Sequence, residues 1–409
     1  MPASLTTINA ALKEFWENAL AYQLNDKILL LNRLQATTEN LYGRYALIPL
    51  HTSRNGGLSA RPEYGTLQTA GNQAVAQAQY TLKYLYGRGM VSGQSMELTS
   101  SKEGSVVSVI ELEMNRLLDD AKVDTARQIY GTGDGRITQC AASGPSVTFT
   151  VSGTGFNEAI QKGQIYIGMV IDVGTVANPV LKLNGVTVTD INPATPSITT
   201  ATSVTTATTD FVFRSGNAIA GSISYEISGL QQAVTTAAGG TFGNINSGGA
   251  GNSYWDNLRN PLNGNLTLDA FTKGFNTVNG IAGGQVSAVI TSYGIQRAFY
   301  NLLQSQVRYM NPMTLSSGYQ ALDYMGVPVI ADKDAPYGNV YFLDERWFRI
   351  YSNQDWHWMD DDGKVLKWVT NQDAWQFVLR RYLNLGSSRR NCQYVLSGVQ
   401  VAGAADPGA

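Results

Sequence analysis

The chain has 409 residues, 43% of them hydrophobic and 15% charged, with a formal net charge of -2. At about 150 residues per domain this is material for two or three compact units, and the weakly acidic balance excludes a dedicated nucleic-acid binder that neutralises phosphates with a basic face. Two cysteines, Cys140 and Cys392, exclude a disulfide framework and a zinc site of four cysteine ligands.

The opening MPASLTTINAALKEFWENALAYQ has no basic start ahead of an apolar core, and no apolar run reaches the ~18 residues of a membrane span. The protein is expected to stay in the cytosol where it is made, with no membrane partner. From Leu5 to about Tyr42, apolar positions such as Phe15, Leu20, Leu24, Ile28 and Leu31 recur with helical spacing, which predicts one or two amphipathic helices. Between Arg44 and Leu98 the period falls to two, with Tyr80, Leu82, Tyr84 and Tyr86 on one face. Its arms, Tyr45–Thr52 and Val75–Tyr86, flank a stretch rich in Gly, Asn and Ser, the pattern of a long hairpin with a flexible tip.

Ser100 and Glu103 then have capping-box spacing before an apolar stripe of Val106, Ile110, Leu117 and Ala121, widened by Val107, Met114 and Leu118. The predicted helix runs to about Tyr130 and stops at Gly131; some 30 residues would make a rod of about 45 Å, suited to a spine. From Ile137 to Gly216 charges thin out and Thr, Val, Ser and Gly dominate. SVTFTV, QIYIGMVIDV, LKLNGVTVTDI and DFVFR read as strands of a small inserted β domain, and SITTATSVTTATTD as a strand plus loop. Thr267 is placed to cap a helix carrying Leu268, Phe271, Phe275 and Val278, SAVIT reads as a buried strand, and Ser292 precedes a helix carrying Ile295, Phe299, Leu302 and Leu303. The remainder is strand-rich, and Asp362-Gly363 between alternating apolar arms signals a hairpin turn.

Catalytic motifs are missing: there is no GxSxG, P-loop or HExxH pattern, and His51 and His357 sit beside no nucleophile motif. The protein is read as no enzyme, with no cofactor and no metal. The acidic run Asp360, Asp361, Asp362 lacks the spaced ligands of a calcium loop and reads as a solvated turn. GTGDG at Gly131–Gly135 follows a helix instead of leading from a strand into one, so it reads as a C-cap and turn in place of a phosphate loop. Trp347, Trp356, Trp358, Trp368 and Trp375 read as core and interface anchors in preference to a stacking platform for sugars or bases.

The order of these parts resembles the Hong Kong 97-type fold of tailed-bacteriophage major capsid proteins: N-terminal arm, extended loop, spine helix, α/β axial domain and late peripheral strands. YTLKYLYGRGMVSGQ, MNRLLDDAKVDTARQIYGTGDG and QIYIGMVIDV are similar in wording to segments of that family. The resemblance implies an α+β, Hong Kong 97-like chain with an inserted small all-β domain. Its parts are a 1–43 arm, a 44–98 extended loop, 99–136 with the spine helix, a 137–216 insertion, a 217–345 axial domain, 346–385 peripheral strands and hairpin, and a 386–409 axial strand and tail.

The family further implies self-assembly into hexamers and pentamers of an icosahedral shell around dsDNA, in a virion capsid built in the host bacterial cytoplasm. A separate scaffolding protein, a portal, a decoration protein and nonspecific contact with packaged DNA are implied as partners. Some relatives crosslink an extended-loop lysine to a neighbouring asparagine; here Lys83 is the only lysine in that loop and lies away from the tip, so no crosslink is expected. Instead the tip carries Arg54 and Arg61, and the hairpin that a neighbour would present carries Asp360, Asp361 and Asp362, so opposite charges are expected to meet between subunits. An encapsulin, a cellular shell of the same fold, is the alternative. A secreted Thr-rich binding protein would suit only the 137–216 segment.

Overall fold

The structure is a computed structural model that describes residues 28–94, 109–152, 157–176, 181–219, 223–281, 283–304, 312–314, 320–360 and 363–401. Most of the predicted N-terminal helices, the Ser100/Glu103 capping box, Asp361 and Asp362 lie outside the described residues. The chain divides into two compact units, one of Met1–Asp26, Tyr86–Ala121 and His357–Arg380, the other of Lys27–Leu85, Lys122–Trp356 and Arg381–Ala409.

In the first unit, the end of strand Lys83–Ser92 runs beside the start of the long strand Ala374–Ser387. Gly89 permits the approach, because a Cβ there would stand 2.3 Å from Phe377. Leu117 of helix Val109–Tyr130 packs over Gly87, 3.3 Å from where a Cβ would be. The Asp362-Gly363 hairpin is corrected here. His357–Trp358 and Lys367–Trp368 do not pair with each other; both run antiparallel to the same long strand, at Arg380/Leu379 and Gln376/Trp375. Each segment therefore takes its partner from the long strand and not from the other. The reversal occurs at 369–374, where Val369 N–H donates to Ala374 O (3.0 Å) and Asn371 takes φ 65°. Gly363 (φ 77°) makes a local turn by donating to Asp360 O, but a turn becomes a hairpin only when its own arms pair.

In the second unit, seven strands form a mixed sheet in the order Leu258–Asn265, Tyr394–Gln400, Val340–Leu343, Ala288–Thr291, Val327–Ala331, Gln320–Tyr324, Pro312–Thr314. Side chains alternate between its faces. Val340 and Phe342 join a core with helices Leu268–Asn276 and Tyr293–Gln304, while Tyr341 and Leu343 join another on the opposite side. Thr267 caps the first of these helices as predicted, its Oγ1 accepting from Ala270 N–H at 3.2 Å, and Phe271 stacks on Phe299 of the second with centroids 4.3 Å apart. The opposite core receives the last turn of the long helix through Ile129 and Tyr130. It also receives the base of the hairpin Tyr45–Ser53/Ala74–Thr81 through Ala46, Ile48, Leu50, Ala78 and Tyr80.

N-terminal to the hairpin, the described residues hold one helical turn, Leu30–Arg33, then short strands Ala36–Thr37 and Leu41–Tyr42. The predicted helical stretch to Tyr42 is thus shortened, because Thr37 and Thr38 are β-branched and Asn40 and Gly43 both take φ 60°. Arg33 fixes this segment by a two-point bond to Glu345, 2.7 Å at each oxygen.

The insertion is a closed barrel. Strands Arg136–Gln139, Asp210–Arg214, Val170–Thr175, Leu181–Asn192, Ser197–Thr206 and Ser143–Thr150 pair in that order, and the ring shuts where Ala141 N–H donates to Thr150 O (2.9 Å) and Ser152 N–H to Gln139 O (2.8 Å). The junction is short, a single bridge between Cys140 and Val151. Phe149, Ile171, Val173, Ile198 and Val212 fill the interior. SITTATSVTTATTD is a strand plus turn, as expected. QIYIGMVIDV becomes a strand only at Val170, because Gly163 (φ 68°) and Gly168 (φ 89°) put the preceding residues into turns.

Candidate assembly surface

Residues 54–73 form the hairpin tip, and among them only Gly57 and Gly65 are even half-buried. Gly57 N–H donates to Asn55 Oδ1 (2.7 Å), Gly65 N–H to Pro62 O (2.9 Å), and Tyr64 takes φ 62°. The base is rigid by contrast. Tyr80 is buried, its hydroxyl donating to Ser387 O (2.7 Å) and accepting from Ser387 N–H (3.1 Å). Burial drives the Tyr80 phenol well above its ordinary pKa, so it remains a neutral donor.

Arg54 and Arg61 are both exposed on this tip, and Arg61 bonds Gln68 across it. Asp360 is exposed in the other unit. Lys83 is half-buried on its strand, with burial lowering its pKa.

The sequence reading missed the apolar part of the tip. Leu58, Tyr64 and Leu67 are 93%, 97% and 85% exposed, although side chains of this size are usually at least partly covered. The signal was available as large apolar residues inside a Gly/Asn/Pro stretch, where no fold-internal periodicity accounts for them. Strand Lys83–Ser92 adds exposed Tyr84, Tyr86 and Met90 at alternate positions.

The remaining candidates for chemistry are quiet. His51 is bonded to Gln73 across the hairpin, and Arg380 Nε donates to His357 Nε2 at 2.8 Å. Both cysteine thiols are buried, and burial pushes each up to about 12, which leaves no thiolate at neutral pH. GTGDG is a helix stop and turn, with Gly131 N–H donating to Gln128 O (2.9 Å) and Gly133 and Gly135 at φ 75° and 82°. None of the five clustered tryptophans is fully buried; among the described residues the buried tryptophan is Trp255, whose Nε1–H donates to Phe242 O (2.8 Å). Among the described residues no group of acidic, histidine and cysteine side chains is arranged to hold a metal, and no helix is long and apolar enough to cross a membrane.

Set against solved structures, the chain superposes over 97% of its length on 99% of the cyanophage A-1(L) capsid subunit, with a TM-score of 0.60 at 13% identity. It has the Hong Kong 97-type capsid fold. The same fold relates it to the SrpI encapsulin of Synechococcus elongatus PCC 7942, with a TM-score of 0.53 at 9% identity over 98% of each chain. The capsid of the native GTA particle follows, with a TM-score of 0.50 at 10% identity over 98% of this chain and 100% of that one. No protein-family model matches the sequence, and no curated protein matches it. Near-complete coverage in both directions means that the capsid fold takes in the hairpin, the long helix and the seven-stranded sheet together.

Proposed function

We propose that this chain is a structural shell subunit, the major capsid protein of a tailed phage, which assembles as hexamers and pentamers into an icosahedral shell around dsDNA. The observation that carries this reading is the hairpin, with its base locked into the core through Tyr80 and its tip holding Leu58, Tyr64 and Leu67 almost fully in solvent. Apolar side chains held out on a rigid stalk gain stability only by burial against another molecule. A capsid fold supplies that molecule as the next copy of the same chain.

On this reading the protein is no enzyme, its place is the virion capsid, and assembly occurs in the host cytoplasm. The segments 1–43, 44–98, 99–136, 137–216, 217–345, 346–385 and 386–409 act as arm, extended loop, spine, insertion, axial domain, peripheral strands and axial tail. A scaffolding protein, a portal and a decoration protein are proposed partners, and the weakly acidic chain meets packaged DNA without sequence preference. Arg54 and Arg61 of one subunit face Asp360, Asp361 and Asp362 of its neighbour.

The likeness to the SrpI encapsulin favours a second reading, a cellular compartment shell. The test is electron microscopy of purified particles with nuclease digestion of their contents. Closed shells with nuclease-protected DNA are expected. Shells with protein cargo and no DNA would establish the compartment, and a stable monomer at high concentration would sink both.

A further inference from the structure

We propose that the inserted barrel is a hinged rigid module, docked onto the body of its unit by two polar clasps and free to swing away as a whole when they release. Three independent features meet here: separate cores, polar contacts and glycine joints.

The barrel core draws only on residues from 137 to 212, and the two cores of the body share no member with it. The barrel therefore has a core of its own, which does not depend on where it sits.

Two polar clasps tie the barrel to the body. In the first clasp, Lys162 Nζ donates to Ala335 O (2.6 Å) and lies 4.4 Å from the Tyr337 ring centroid, while Tyr337 N–H donates to Glu158 Oε1 (3.0 Å). In the second, Arg214 Nη1 stands 2.7 Å from Asp124 Oδ1 on the long helix. Behind the second clasp the body is stiff. Arg127 ties the helix end to the body through bonds of its own to Asp124 and Glu226; burial disfavours its charge, but these carboxylates outweigh burial and hold its pKa above arginine's ordinary value. Beside the clasps lies a cleft of about 420 Å³ of mixed lining, with Arg136, Gln139, Asn157 and Asp334 among its polar residues and Ile137 and Phe211 among its apolar ones. Polar groups lining such a space can be hydrated when it widens, so opening it strands few of them.

The joints are glycines. The chain enters through Gly133 and Gly135 (φ 75° and 82°) and leaves through Gly216 (φ 79°). These positions take the left-handed backbone region that glycine enters without steric cost. A module on two glycine joints with polar clasps is a hinge, its closed state set by contacts that salt and substitution weaken.

The test uses the full chain with Thr202→Cys on the barrel and Lys273→Cys on the body, both exposed, carrying spin labels; Cys140 and Cys392 are buried and stay unlabelled. Interlabel distances are measured by pulsed electron paramagnetic resonance in the parent and in Lys162→Met/Arg214→Gln. The width of the distance distribution is expected to roughly double in the variant and to grow in the parent at 1 M salt, with the Ile171 and Val173 amides still protected from exchange. An unchanged narrow distribution in the variant overturns the proposal. Broadening with loss of amide protection overturns it as well, because the barrel would then be unfolding in place of swinging.

Discussion

Replacing the tip side chains by Leu58→Ser, Tyr64→Asn and Leu67→Ser isolates assembly from folding. Tyr64 takes φ 62°, a conformation asparagine tolerates well, and all three side chains are at least 85% exposed, so the isolated chain loses no packing. Its melting behaviour should stay within about 0.5 kcal/mol of the parent. Full burial of a side chain of this size stabilises by about 1.5–3 kcal/mol. Half burial of each against a neighbour then gives about 3 kcal/mol per tip, which corresponds to roughly a hundredfold in association constant. Every subunit has a tip, so the effect repeats around the shell. Light scattering against protein concentration, under conditions where the parent chain assembles, should place the onset for the triple variant roughly a hundredfold higher. An onset at the parent concentration would refute the argument that the tip drives assembly.

Charge reversal by Arg54→Glu and Arg61→Glu should weaken shells, with added salt relieving the loss because it screens the new repulsion, and changing Asp360, Asp361 and Asp362 to Lys should restore them; each exposed pair is worth only ~0–1 kcal/mol, so particle melting, which sums many copies, is the readout, and unchanged melting removes the clamp. Arg390 is fully buried without a carboxylate bond, its pKa drawn down to about 10 mainly by burial, and it donates to the carbonyls of Ala233 (2.6 Å), Gly240 (3.2 Å) and Gln232 (3.3 Å). Gly240 O keeps the Ser247 N–H, so Arg390→Met leaves two carbonyls unserved and should cost about 2–4 kcal/mol after relief of the buried charge; an unmoved urea midpoint, with unchanged amide exchange over residues 232–247, would count against the staple. Burial raises the Asp332 carboxyl above its ordinary 3.8, although Tyr130 O–H donates to it at 2.7 Å. The unfolded chain gives up this proton first, so the contribution of Asp332 is fully present below 3.8 and is lost as pH rises through its raised folded value. Asp332→Asn should therefore match the parent at low pH and become the more stable protein above that window; a constant difference across pH would contradict the assignment.

Much of the architecture was legible without coordinates, because much of it is local. Thr267 and the Leu268, Phe271, Phe275 and Val278 stripe announce a helix from spacing alone, and Ala288–Thr291 announces a buried strand from continuous apolarity. Such signals depend on residues a few places apart, where the physics of caps and periodicity operates. The Asp362-Gly363 reading failed at the point where locality ends. Gly363 donates to Asp360 O as a local turn would, yet which strands pair depends on Ala374–Ser387, and that strand takes both flanking segments as partners.

The amino-acid sequence by itself determined the composition class, the order of many helices and strands and the resemblance to a capsid subunit, all properties of patterns along the chain. Tertiary structure alone decided that the insertion closes into a barrel, because the closing bonds join Gln139 and Ala141 to Ser152 and Thr150 across a ring whose other members lie up to residue 214. It alone separated Tyr80, sealed into the core by Ser387, from Leu58, Tyr64 and Leu67, left in water. Exposure is a property of what surrounds a side chain, and for residues drawn together from distant parts of the sequence no spacing along the chain encodes it.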